Sequence, residues 1–262
     1  SGALDANTTG SYNVAIGNLA LNDNTTSNSN VAMGNESLSK NTTGADNTAV
    51  GTNSLKLNTT GANNVAIGSG AMAANVGAGN DNVAVGMNSL AANTTGDYNV
   101  AVGIGALLAN TTADGNTAVG RVAMYTNTTG DCNVAMGYAA AGLTTTGSGN
   151  TSIGWRSLNA NTTGYSNTGV GQCALYAVTE GFTNSAFGRK SLGAVTTGDC
   201  NVGVGYNAGD ATTTGNNNTS LGYDSNPTAN NANNQITLGN GAHDNLRCAD
   251  TSISALSDER DK

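Results

Sequence analysis

The chain has little of what ordinary globular domains are built from. Among 262 residues there is one proline, one histidine, one tryptophan and two phenylalanines, with 10% charged and 4% aromatic residues against 37 glycines. That composition argues against a helical domain. No run of 18 or more apolar residues is present, so no membrane-inserting segment is expected, and the first residues do not read as a signal peptide. The nine basic residues (Lys40, Lys56, Arg121, Arg156, Arg189, Lys190, Arg247, Arg260, Lys262) are scattered in a chain of net charge −8, which leaves no basic groove for nucleic acid. Of the four cysteines, Cys132 and Cys200 share a repeat position but stand four turns apart. That is roughly 19 Å at ~4.8 Å per turn and beyond disulfide reach. There is no CxxC pair, and His243 alone cannot complete a metal site, so free thiols, no metal and no cofactor are expected.

What the chain does have is a period. The phrase that opens as NVAIG at Asn13 returns at Asn30, Asn47, Asn64, Asn82, Asn99, Asn116, Asn133, Asn150, Asn167, Asn184, Asn201, Asn218 and, degenerately, Gln235. Every step is 17 residues except the 18 from Asn64 to Asn82, where one residue is inserted near Val76 to Gly79. Disorder does not hold an apolar register through fourteen cycles, and a period this strict means stacked, near-identical structural turns. The array covers residues 1–251, and Ser1 to Tyr12 match the back of a repeat. The chain is therefore expected to start inside a longer array.

Numbered from its Asn, the repeat reads N-[VTS]-A-[VIM]-G-x-x-[AS]-L-x-x-N-T-T-G-x-x. Positions one to four alternate as a short strand. Val14, Val31, Thr48, Val65 and Val83 are expected to stack inside with Ile16, Met33, Val50, Ile67 and Val85. The small third position then faces outward, where a second subunit approaches closely. Glycine at position five predicts a bend with positive φ or a corner with no room for a Cβ. Ala or Ser at eight and Leu or Met at nine predict a second short strand whose Leu fills the coil. NTTG is turn chemistry, and stacked Asn side chains can form amide ladders. The sum is an all-β parallel β-solenoid (β-roll) of about fourteen 17-residue coils, a rod of roughly 67 Å. So thin a coil gains by self-association, and a homotrimer is expected.

NVAIGNLAL, NTAVGTNSL and NVAVGMNSL resemble the head repeats of the YadA-like trimeric autotransporter adhesins. The resemblance implies left-handed rolls packed about a threefold axis. Residues 252–262 break the period, and Ser257-Asp258-Glu259-Arg260-Asp261-Lys262 resembles the S-D-x-R-x-K opening of the self-cleaving intramolecular chaperone of phage tail fibres and tailspikes. That resemblance implies Ser257 as nucleophile, Lys262 as its basic partner and scission between Ser257 and Asp258, chemistry that a Ser–Lys pair can supply. Without the rest of that domain the chain is not expected to cut itself. A charged, solvated tail is the alternative reading of these six residues.

Position six, just past the bend, turns aromatic and cationic in the second half: Arg121, Tyr138, Trp155, Gln172, Arg189, Tyr206, Tyr223. Such a row suits sugar rings and anionic glycans, and is equally what inter-subunit packing or ladder stacking would produce. No GxSxG, HExxH or P-loop is present, and Asp97, Asp131 and Asp199 sit on turns, so no enzyme acting on an external substrate is expected. The Thr pairs of NTTG admit an ice-binding face as a distant reading. The sequence thus points to a trimeric phage tail-fibre segment in the virion that recognises a host-surface glycan or protein. A bacterial surface adhesin is the alternative.

Overall fold

The structure is a computed structural model that describes residues 2–77 and 79–242. Fourteen three-residue strands, β1 (Val14–Ile16) to β14 (Ile236–Leu238), lie in one sheet in strict chain order, each parallel to the next. Among the described residues there is no helix. The chain is a parallel β-solenoid, as its period predicts, and the thirteen steps between β1 and β14 span roughly 62 Å at ~4.8 Å each. Register is held even across the longer repeat: Val65 pairs with Val83 and Ile67 with Val85, so the extra residue near Val76 to Gly79 is absorbed in the loop.

Inside and outside are the reverse of the sequence expectation. The third-position alanines Ala32, Ala49, Ala66, Ala84 and Ala101 are completely buried in the coil. The second and fourth positions look outward, with Val14, Ile16, Met33 and Ile67 exposed and Val31, Thr48, Val50, Val65, Val83 and Val85 half-buried. The cause is the width of the bore. A Cβ added to Gly203, a third-position residue, would lie 2.4 Å from Ser191 Oγ and 2.8 Å from Leu192 Cγ. Positions eight and nine therefore stand directly opposite position three, and Leu takes the available volume. Only Ala, Ser or Gly fits across from it. The close-contact face is thus internal, and the apolar ladders of positions two and four lie on the outer surface.

Leu21, Leu38, Leu55, Leu90, Leu107, Leu158, Leu175 and Leu192 do fill the coil, each contributing roughly 1.5–3 kcal/mol by burial. They do not form a second strand. Leu90 has φ 50°, and position nine stays between 46° and 52° from Leu21 to Leu192. An extended chain sends successive side chains to opposite faces. The left-handed residue at nine lets Ser89 and Leu90 both point inward. This conformation costs an L-residue roughly 1–2 kcal/mol, offset by burial and by axial bonds such as Leu90 N–H to the Ala106 carbonyl at 2.9 Å.

The fifth-position glycine behaves as expected. Gly103 has φ +132°, and a Cβ there would sit 2.6 Å from the Gly120 carbonyl oxygen. The corner needs glycine for both conformation and space.

Candidate receptor-binding face

Two asparagine columns hold the turns in line, so that whatever projects from one turn is stacked on the next. At position twelve, Asn110 Nδ2 donates to Asn93 Oδ1 at 3.0 Å, and Asn127 Nδ2 donates to Asn110 Oδ1 at 3.1 Å. At position one, the Asn99 amide N–H donates to Asn82 Oδ1 at 2.9 Å, while Asn99 Nδ2 reaches the Ala113 carbonyl at 2.8 Å. Both columns are buried. These are the amide ladders expected from stacked Asn.

On this frame the bend at Gly137 and Gly154 throws position six outward. Tyr138 and Trp155 are 43% and 44% exposed, and Tyr206 and Tyr223 are 36% and 60% exposed. The Tyr138 and Trp155 rings stack with centroids 6.5 Å apart and planes 14° apart, and the Arg121 guanidinium lies 5.7 Å from the Tyr138 centroid. The same group recurs four turns on: Tyr206 and Tyr223 stack at 5.6 Å, with Arg189 5.3 Å from Tyr206. The six residues singled out in the sequence therefore form two Arg–aromatic–aromatic groups on one edge, separated by the turn of Gln172. Aromatic faces open to water beside guanidinium groups can stack against sugar rings and attract anions.

Position-by-position reading missed the residues behind this row. Arg156, at position seven, lies with its guanidinium 5.3 Å from the Trp155 ring and 5.0 Å from the Tyr176 ring. Trp155, Arg156, Tyr176, Lys190 and Asp210 line a cleft of about 300 Å³ that begins at Trp155 of the first group, with Gly193 in its wall. Tyr176, Gly193 and Asp210 all occupy position ten, so the cleft arises from one glycine between two larger side chains on successive turns. Burial holds the Asp210 carboxyl above the usual carboxylate range, aided by Asp224 and opposed by Lys190. The available signal was that tyrosine recurs at position ten, in Tyr125 and Tyr176.

Other candidate groups have structural duties. Asp97 and Asp131 carboxylates accept from the backbone N–H of Asn80 (2.6 Å) and Asp114 (2.8 Å), and Asp199 accepts from that of Phe182 (3.0 Å). Position-thirteen threonines donate along the axis, as in Thr94 Oγ1 to the Thr111 carbonyl at 2.9 Å and Thr111 Oγ1 to that of Thr128 at 3.1 Å. Their hydroxyls are thereby engaged, which leaves the position-fourteen threonine of each pair, such as Thr95, facing water. Cys132, Cys173 and Cys200 are free thiols. Among the described residues no cluster of three metal-ligating side chains occurs, and no helix is long and apolar enough to cross a membrane. Ser257, Asp258, Lys262, His243 and Cys248 lie outside the described residues. Comparisons with protein families, with curated proteins and with solved structures find no match.

Proposed function

We propose that this chain is a receptor-binding segment of a phage tail fibre, a left-handed solenoid associating as a homotrimer and recognising a host-surface glycan. The two exposed Arg–aromatic–aromatic groups along one edge are the observation on which the recognition role rests. What sets these four aromatics apart from other exposed ones such as Tyr12, Tyr98 and Tyr165 is that each pair stacks on one edge beside a guanidinium.

The outward ladders of positions two and four support self-association. They form a strip roughly 60 Å long and ~10 Å wide, about 600 Å², apolar at position four in every turn and interrupted at position two by Thr48, Thr117, Thr151, Thr168, Ser185 and Thr219. A patch of that size sits at the upper end for a monomer and near the ~800 Å² per partner of a stable interface. On this reading the trimer face is the column of Val85, Val102 and Val119 and their equivalents. The Ser257–Lys262 segment favours a fibre over a surface adhesin, since its likeness is to a fibre chaperone. In the presence of that whole domain, Ser257 would attack the bond to Asp258 with Lys262 as base.

Fluorescently labelled protein applied to a panel of bacterial cells and a glycan array tests the recognition role. Binding that is lost on Tyr138→Ala with Trp155→Ala, in a variant with unchanged circular dichroism, is the expected result. Binding that survives those changes, or no binding to any surface, would refute it. Sedimentation equilibrium tests the trimer, with Val85→Asp, Val102→Asp and Val119→Asp together expected to yield monomers.

A further inference from the structure

We propose that the cleft between Trp155, Tyr176 and Asp210 is a subsite for one carboxylate-bearing sugar unit of an acidic polysaccharide. The inference rests on the glycan-binding reading above and specifies its ligand class.

The charge inventory is the first argument. The chain as a whole carries −8, yet this cleft gathers two cations, Arg156 and Lys190, against the carboxylate of Asp210 in its wall and that of Asp224 near enough to act on it. Neither cation forms an ion pair among the described residues, where the pairs found are Lys40–Asp23 and Lys56–Glu36. Arg156 is already oriented, its guanidinium set against the Trp155 and Tyr176 rings and its Nη2 donating to Asn159 Oδ1 at 3.4 Å. A guanidinium held on aromatic faces keeps N–H groups free in its plane, the geometry that meets a carboxylate bidentately.

Shape is the second argument. The cleft's volume of about 300 Å³ lies at the small end of ligand sites. Its opening exists because position ten is glycine at 193; a Cβ there would stand 2.7 Å from Asp210 Oδ1. The Trp155 and Tyr176 rings offer apolar faces for the sugar's C–H groups, and Asp210 offers an acceptor for its hydroxyls. The elevated proton affinity of Asp210, which follows chiefly from burial, fits a partly dehydrated wall where hydrogen bonds are stronger. Trp155 belongs both to the cleft and to the first Arg–aromatic–aromatic group, so the position-six row would hold neighbouring units of the same polymer.

The discriminating measurement is titration calorimetry with oligogalacturonate, its fully methyl-esterified neutral form, and a sulfated oligosaccharide of equal length. The acidic oligomer is expected to bind about tenfold or more tightly than its ester, the worth of one charge-assisted contact. Arg156→Met with Lys190→Met should abolish that preference. Gly193→Leu, whose Cβ would crowd Asp210 Oδ1 and whose side chain fills the cleft, should weaken the acidic oligomer and remove its preference over the ester. Equal binding of acid and ester, or an acid preference untouched by the double substitution, overturns the subsite while the glycan-binding reading stands. Tighter binding of the sulfated oligomer than of the carboxylate shows general anion attraction and likewise overturns it. Failure of every glycan to bind refutes the parent reading, and the subsite with it.

Discussion

The asparagine column at position twelve gives the sharpest test of how this solenoid is held together. Replacing Asn110 by Val removes three hydrogen bonds: to Asn93 Oδ1 (3.0 Å), to the Ala113 carbonyl (3.1 Å) and from Asn127 Nδ2 (3.1 Å). Two of the three former partners keep another contact. The Ala113 carbonyl still accepts from Asn99 Nδ2 at 2.8 Å, and Asn127 Nδ2 still donates to the Gly130 carbonyl at 3.0 Å. Asn93 Oδ1 is left buried and unpaired. At ~1 kcal/mol net per bond, the loss is about 3 kcal/mol, of which the orphaned acceptor is the larger part. Replacing Asn93 by Val likewise orphans one acceptor, Asn75 Oδ1, whose donor was Asn93 Nδ2 at 3.4 Å. In the double variant Asn93 no longer exists to be orphaned, and the two valines touch. The chain uses this solution itself, since Val178 and Val195 fill successive turns of the same column fully buried. The double variant should therefore be less destabilised than the sum of the singles by about 1–3 kcal/mol. Urea unfolding of the four proteins, followed by circular dichroism, measures that difference. Strict additivity, within about 0.5 kcal/mol, would show that unpaired buried acceptors do not govern the ladder and would refute the reasoning.

Three other outcomes follow from the same geometry. Gly103→Ala forces a Cβ to 2.6 Å from the Gly120 carbonyl oxygen at φ +132°; with strain and displacement each at ~1–3 kcal/mol, a loss of about 4 kcal/mol is expected in urea unfolding. Ala101→Val, inside the coil, should cost about 1–3 kcal/mol by overpacking, whereas Val102→Ala, on the half-exposed outer face of the isolated coil, should cost under ~1.5 kcal/mol; the opposite ranking would reinstate the valines as core. Because the folded-state affinity of Asp210 for a proton is raised, chiefly by burial, the folded protein holds more protons there than the unfolded chain. Its contribution to stability should then increase as pH falls through the carboxylate range. Thermal melts against pH should show this in the parent and a flatter profile in Asp210→Asn.

How much of this could be read from the sequence depends on the length scale. The 17-residue phrase determined the parallel stack, its register, the glycine corner and the amide ladders. Each of these follows from identical residues meeting their own copies one turn away. The position-six row was legible for the same reason, since a residue exposed in one turn is exposed in all. Left-handed positions were signalled too, though faintly. Glycine, asparagine and aspartate recur at positions seven and seventeen, as at Gly70, Gly105, Asp46 and Asn63, all with positive φ.

What only the tertiary structure decided is which side of the strand is inside. Alternation of Val, Ala and Val fixes two faces but not their direction, and apolarity favoured the valines as core. The bore decided otherwise, because Leu from position nine occupies it and leaves room across from itself only for Ala, Ser or Gly. That reversal turns the ladders of positions two and four outward, and with them the proposed association surface. The cleft at Arg156, Tyr176, Lys190 and Asp210 was beyond sequence for a related reason. Its residues come from different positions on successive turns, and only the coil's cross-section brings position six of one turn beside position ten of the next.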